Sequence, residues 1–93
     1  MEYKNFNELI DSFIKGVNDG KIGNLKIKGN QLFHYNTAIC ERKDNYFILN
    51  VTRYSIQTGQ VQKKLLNKLS NSNVKTVKKV PVDYQLELEA FLK

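Results

Sequence analysis

In the stretch Leu49 to Leu69, LNVTRYSIQTGQVQKKLLNKL, a run of hydroxyl, amide and Arg side chains stands where an alternating pattern gives way to a helical one. Residues Tyr54 to Thr58 leave a strand and enter a helix whose first amides have no internal partners. Such a terminus attracts anions through its N–H groups and its dipole. Arg53 or Arg42 can add a bidentate phosphate contact, Lys63 and Lys64 fall within the first turns, and Gly59 lets a ligand or backbone come close. The chemistry expected of this joint is phosphate binding, with Tyr54, Ser55 and Thr58 at the helix entrance. The same residues also admit a plainer role, in which Thr58 caps the helix while Asn36, Asn50 and Thr52 satisfy turns and cross-strand bonds.

Catalysis finds less support. Acid–base work needs paired titratable groups, and the only candidates are His34 with Cys40 or with Glu41. On one continuous strand, His34 and Cys40 share a face but stand roughly 20 Å apart, at about 3.3 Å per residue. A lone Cys in a mixed strand behaves as a small hydrophobe. No phosphate-binding loop, dinucleotide Gly motif or zinc spacing occurs, so neither a cofactor nor a metal is expected.

Charge distribution says more than the net charge of +6. Between Asp44 and Asp83 there is no acidic residue, while Arg53, Lys63, Lys64, Lys68, Lys75, Lys78 and Lys79 all lie there. Acids gather toward the ends, in Glu2, Glu8, Asp11 and Asp19, and again in Asp83, Glu87 and Glu89. A cationic middle attracts nucleic-acid phosphate or an acidic protein surface, and it can also serve solubility alone. Interleaved aromatics, Phe33, Tyr35, Tyr46, Phe47 and Tyr54, are of a kind that stacks on unpaired bases or fills a core.

A chain of 93 residues, 41% apolar and 26% charged, is one folded domain with a modest core. One Cys excludes an internal disulfide and fits a reducing cytoplasm. No apolar run approaches membrane-spanning length, and MEYKNFNELID is acidic and amphipathic where a signal peptide would be basic and then apolar.

The elements that must position the joint follow from periodicity. Asn5 to Glu8 reads as a capping box, and Phe6, Leu9, Ile10, Phe13, Ile14 and Val17 form the apolar stripe of a helix closed by Asn18, Asp19 and Gly20. From Asn24 the period becomes two: LKIK, a Gly29–Asn30 turn, and one strand QLFHYNTAICE make a hairpin. On that strand Phe33, Tyr35, Thr37 and Ile39 share one face. A third strand runs from Tyr46 to Tyr54. A helix follows with Thr58 as N-cap and Val61, Leu65 and Leu69 on its buried stripe, stopped by SNSN. VKTVKKVPV reads as an edge strand or arm, since Pro81 has no place in a central ladder. DYQLELEAFLK reads as a helix capped by Asp83. The expected fold is α+β: an N-terminal amphipathic helix, an antiparallel three- to four-stranded meander, a basic helix and a short C-terminal helix.

The stretch NTAICER followed by ILNVTRYSIQTGQVQKKL resembles a group of small, poorly characterised phage and mobile-element proteins. Its members look like N-T-x-I-A-x-R, a short turn, then N-x-T-x-Y-S-x-T-T-S and a helix. The matching positions are Asn36, Thr37, Ile39, Arg42, Asn50, Thr52, Tyr54, Ser55 and Thr58, while Cys40, Gln57, Gly59 and Gln60 depart from the pattern. The resemblance implies a phage or plasmid origin and assigns no activity.

Together these readings lead us to expect a non-enzymatic accessory binding protein acting in a bacterial cytoplasm, with nucleic acid as the favoured partner. Phosphate contacts are expected from Arg42, Arg53, Lys63, Lys64, Lys68, Lys75, Lys78 and Lys79, with Tyr54, Ser55 and Thr58 at the helix entrance. The alternative is an anti-defence inhibitor of anti-CRISPR or anti-restriction type, docking on a host nuclease or its ribonucleoprotein. An exposed edge strand leaves a homodimer open.

Overall fold

A computed structural model describes residues 3–92 of the chain; Glu2 of the acidic amino end and Lys93 of the carboxyl segment lie outside them. The class is α+β as expected. The sheet, however, has six strands in sequential order, five antiparallel and the last parallel to its neighbour.

Helix α1 (Phe6–Lys15) begins where the capping pattern puts it, with the Glu8 amide donating to the Asn5 side chain at 3.0 Å and the Glu8 carboxylate accepting from the Lys4 amide at 2.8 Å. It stops at Gly16, four residues before Gly20. Gly16 adopts φ 112°, and its N–H returns to Phe13. The released residues form an edge strand, β1 (Asp19–Ile22), that the alternation did not reveal. Gly20 has another task there: a Cβ on it would lie 2.9 Å from the Tyr3 ring, so any other residue would push that ring aside.

Strands β2 (Leu25–Lys28) and β3 (Gln31–His34) form the expected hairpin across Gly29–Asn30. The long strand foreseen from Gln31 to Glu41 is two strands. Tyr35 takes a left-handed φ of 58°, the chain reverses, and β4 (Thr37–Arg42) pairs back on β3. A register shift follows, Leu32 opposing Cys40 and Phe33 opposing Ala38. This bulge lets Ile39 and Cys40 both join the helix-side core, whereas strict alternation would separate them. The single face drawn through Phe33, Tyr35, Thr37 and Ile39 is therefore not observed.

Strand β5 (Phe47–Asn50) ends four residues early, because the Asn50 side chain accepts from the Thr52 amide at 2.9 Å and turns the chain. Helix α2 (Ile56–Lys68) crosses over to β6 (Val74–Val77), an edge strand paired with β5 in parallel. The N-cap of α2 is Ser55, which accepts from the Thr58 amide at 3.2 Å, and not Thr58 itself. The stripe Val61, Leu65 and Leu69 is buried as expected.

One sheet face packs on α1 and α2 through Leu9, Ile10, Phe13, Leu25, Leu49 and Leu65. The other face, with Phe33, Ala38, Ile48 and Val77, is covered by the carboxyl segment through Val80, Leu88 and Phe91. That segment is a strap and not the expected helix. Only Leu88–Phe91 makes a single 3-10 turn, and Asp83 sits at φ 63°, which is no helix cap. Side chains and backbone of the sheet compete for its polar groups: Thr37 Oγ1 accepts from the Asp83 amide at 2.8 Å, the Ala38 amide donates to Tyr84 at 2.8 Å, and Gln31 donates to the Leu86 carbonyl at 2.9 Å. The buried Glu41 carboxylate takes the Leu88 amide at 2.8 Å, and Lys43 bridges Glu41 and Glu89 at 3.1 and 2.9 Å. With the amides of Asp83 and Leu88 and the carbonyls of Tyr84 and Leu86 held by the sheet, these residues have no reason to close helical turns.

Candidate nucleic-acid interface

The joint between β5 and α2 carries two kinds of residue. One kind is consumed by the fold. Buried Asn50 donates to the Ala38 carbonyl and the Tyr54 hydroxyl, each at 2.9 Å, while Tyr54 donates to the Val80 carbonyl at 2.6 Å. Thr52 Oγ1 accepts from the Val80 amide at 3.0 Å. Gln62 donates to the carbonyls of Asn50 and Thr52 at 2.7 and 2.9 Å. Asn50, Thr52 and Tyr54 thus tie strand, helix and strap into one knot, the plainer of the two roles open to them.

The other kind is free. Arg53 and Lys63 line a groove of about 460 Å³ floored by Leu49 and Val51 and flanked by Ile56 and Leu66. Lys78 and Lys79 lie on the strap between two tethers, Val51 N–H to the Val77 carbonyl at 2.9 Å and Val80 N–H to Thr52 at 3.0 Å. Those tethers hold them beside the segment that carries Arg53. Among the described residues none of these four cations makes a salt bridge. Gly59 also lines the groove, and a Cβ there would meet no protein atom, so packing does not require glycine.

The remaining predicted contacts are placed elsewhere. Arg42 is withdrawn from the joint altogether. Its guanidinium donates to the carbonyls of Phe13, Gly16 and Val17 and to the Asn18 side chain, with its plane 5.0 Å from the Phe13 ring centroid. It is the cation that completes the C-terminus of α1, where helix carbonyls and dipole favour positive charge. Lys68 pairs with Asp11 of α1 at 2.8 Å. Lys64 lies on the same flank of α2 as Lys68, about 100° around the helix from Lys63, and Lys75 stands 4.8 Å from the Tyr46 ring on the strap-covered face. Of the eleven predicted side chains, Arg53, Lys63, Tyr54 and Ser55 line this groove together, and Lys78 and Lys79 lie on the adjacent strap segment.

Thr58 has a partner no sequence signal announced. His34, 3% exposed, places Nδ1 2.8 Å from Thr58 Oγ1, which also receives the Ser55 hydroxyl at 3.1 Å. Burial lowers the His34 pKa from its ordinary value, so the ring is neutral at pH 7. Because the chain reverses at Tyr35, the strand separation expected between His34 and Cys40 does not apply. Cys40 is buried, and desolvation pushes its thiol far above the usual range, where little thiolate forms. Among the described residues no three His, Cys, Asp or Glu side chains come together as a metal site, and no helix is long and apolar enough to cross a membrane.

The sheet aromatics offer no open stacking platform. Phe33 is buried under the strap, Phe47 packs near Phe13, and Tyr54 is held in the knot. Tyr35, at the β3–β4 tip, is the exposed aromatic among them. No protein-family model, no curated protein and no solved structure matches this chain.

Proposed function

We propose that this protein is a non-enzymatic binding module that holds nucleic acid by its phosphate backbone, on the cationic groove at the β5–α2 joint. The observation that carries this reading is the pair Arg53 and Lys63 lining one groove, with Lys78 and Lys79 on the neighbouring strap segment, all four without a salt bridge among the described residues. The groove opens at the carboxyl end of a parallel strand pair joined by a helix, the place where α/β crossovers tend to bind ligands. Both sheet faces are covered, so contact is with phosphates and not with bases stacked across strands.

A second reading has its own support. Ile56 is 84% exposed and Leu66 52% exposed, and both line the same groove. An apolar pair framed by cations also suits an acidic protein segment, as on a host nuclease complex blocked by an anti-defence inhibitor.

The test is a salt series with labelled DNA and RNA, comparing wild type with Arg53→Glu/Lys63→Glu and with Lys21→Glu/Lys28→Glu, an equal charge change on the β1–β2 edge. Nucleic-acid binding predicts a log–log salt slope of about 3 for four displaced counterions on a single strand. It also predicts a large loss in the first variant and a small one in the second. Equal losses would reduce the groove to general charge. No binding at low salt would move the search to a protein partner, where Ile56→Ser/Leu66→Ser should abolish docking.

A further inference from the structure

Across the wall formed by Tyr54 and Ser55, the cationic groove adjoins a second cleft of about 550 Å³, lined by His34, Tyr35, Asn36, Thr58, Val82 and Asp83. Its size falls within the range of small-molecule sites. Two segments distant in sequence make its walls, the β3–β4 tip on one side and the strap on the other. The bond from the Asp83 amide to Thr37 pins them together.

The cleft is built at a cost the fold does not require. Three non-glycine residues among those described have a left-handed backbone, Tyr35, Lys79 and Asp83, and two of them, Tyr35 and Asp83, line this cleft. An aromatic residue is a poor choice for such a conformation at a hairpin tip, where Gly or Asn would serve with less strain. Tyr35 is nonetheless held there. Its hydroxyl donates to Gln57 at 3.1 Å, its ring meets His34 edge-on at 4.6 Å, and it remains 49% exposed. Val82, on the strap, is 68% exposed. Between an aromatic and an aliphatic wall stand His34, Asn36 and Asp83, a mixed set of donors and acceptors. His34 is 3% exposed and its Nδ1 is held by Thr58, so it stands as a fixed part of the cleft's wall.

We propose that this cleft takes one nucleobase of a single-stranded nucleic acid whose backbone follows the adjoining cationic groove. The inference rests on the nucleic-acid reading above and adds to it a strand preference and a base-binding site. A flat heterocycle with hydrogen-bonding edges matches an aromatic wall beside polar groups. The shared Tyr54–Ser55 wall places such a base next to cations suited to its phosphate. A base can enter only when unstacked, so duplex is excluded from the cleft.

The experiment measures anisotropy of labelled single-stranded DNA and RNA homopolymers, and of a duplex of equal length, for wild type, Tyr35→Asn and Val82→Trp. Asn tolerates the left-handed conformation while removing the ring, and Trp at an exposed position fills the cleft without touching the core. Single strands are expected to bind at least ten times more tightly than duplex. Tyr35→Asn should lose about 5- to 150-fold on single strands, the worth of one base–aromatic stack, and Val82→Trp at least fivefold by filling the cleft, with duplex affinity unchanged in both and the thermal midpoint lowered in neither. Salt-dependent binding that is equal for single strand and duplex, and equal in both variants, would overturn the cleft proposal and leave the groove reading standing. Absence of salt-dependent binding to any nucleic acid would overturn both.

Discussion

Within fourteen residues, Asn50 to Lys63, two sets of polar side chains share one joint and meet opposite fates. Asn50, Thr52, Tyr54 and Gln62 have their donors and acceptors filled by backbone and by one another. Arg53 and Lys63, interleaved with them, have no ion-pair partner among the described residues and line an open groove. Residue chemistry alone did not separate the two sets. What separates them is what their polar ends reach: Asn50, Thr52, Tyr54 and Gln62 end on groups of β4, the joint and the strap, while Arg53 and Lys63 end in the open groove. The knot holds the joint's shape, and the cations give it an electrostatic task.

The largest effect that would break this comparison is on the knot side. Asn50→Ala leaves the Ala38 carbonyl and the Thr52 amide without their partners in the interior. It should cost about 2–6 kcal/mol in urea unfolding, at about 1–3 kcal/mol per stranded group. A loss below 1 kcal/mol would mean that water replaces the side chain and that the knot is loose.

On the groove side the pattern inverts. Arg53→Glu/Lys63→Glu should leave unfolding free energy within about 0.5 kcal/mol, as surface changes do, while nucleic-acid affinity falls at least tenfold. A destabilised variant would show these cations to be structural after all, as Arg42 proved to be.

Gly59→Ala sharpens the same boundary with a smaller change. A Cβ there meets no protein atom, so the helix should gain about 0.5–1 kcal/mol from the better helix former. If the groove wall contacts ligand, affinity drops even as stability rises. Opposite signs in two assays on one variant are difficult to produce by misfolding.

The smallest expected effect is the pH dependence of the knot's neighbour, His34. Its folded pKa lies below the ordinary 6.5 because burial disfavours the charged ring. The unfolded state therefore binds more protons between the folded pKa and about 6.5. Stability should be flat above pH 7, fall as pH drops through that window, and level off below the folded pKa. Urea midpoints between pH 7.5 and 5.5 test this, and His34→Gln should remove the slope, since the chain has no other histidine.

Legibility of the candidate site followed the same division. Lys63 and Arg53 were readable because a strand-to-helix joint with basic residues is a local pattern. Arg42 was misplaced because its role depends on α1, which ends 26 residues earlier in the chain and meets it only after folding. Lys64, next to Lys63 in sequence, was grouped with it by composition, and the helical twist of about 100° per residue puts the two on different flanks. His34 gave no signal of its contact with Thr58, 24 residues on, since nothing in a strand's alternation says which helix end will cover it. The strap was unreadable for a related reason: DYQLELEAFLK carries helix-forming residues, and their preference was overridden by sheet groups that claimed its amides and carbonyls.

By itself the sequence determined what depends on neighbours within about four positions. The capped amphipathic stripe of α1, the Gly29–Asn30 hairpin, the buried stripe of α2 and the edge character of the Pro81 segment all belong here, because periodicity and capping are short-range. Only the tertiary structure decided where α1 stops, that the long strand folds back at Tyr35, that the last segment lies extended, and which polar residues are spent. The stop of α1 and the path of the last segment rest on hydrogen bonds between groups far apart in the chain, such as Arg42 with Phe13, 29 residues away, and Glu41 with the Leu88 amide, 47 residues away. A buried polar group must find a partner wherever packing brings one, and that choice is made by the whole fold.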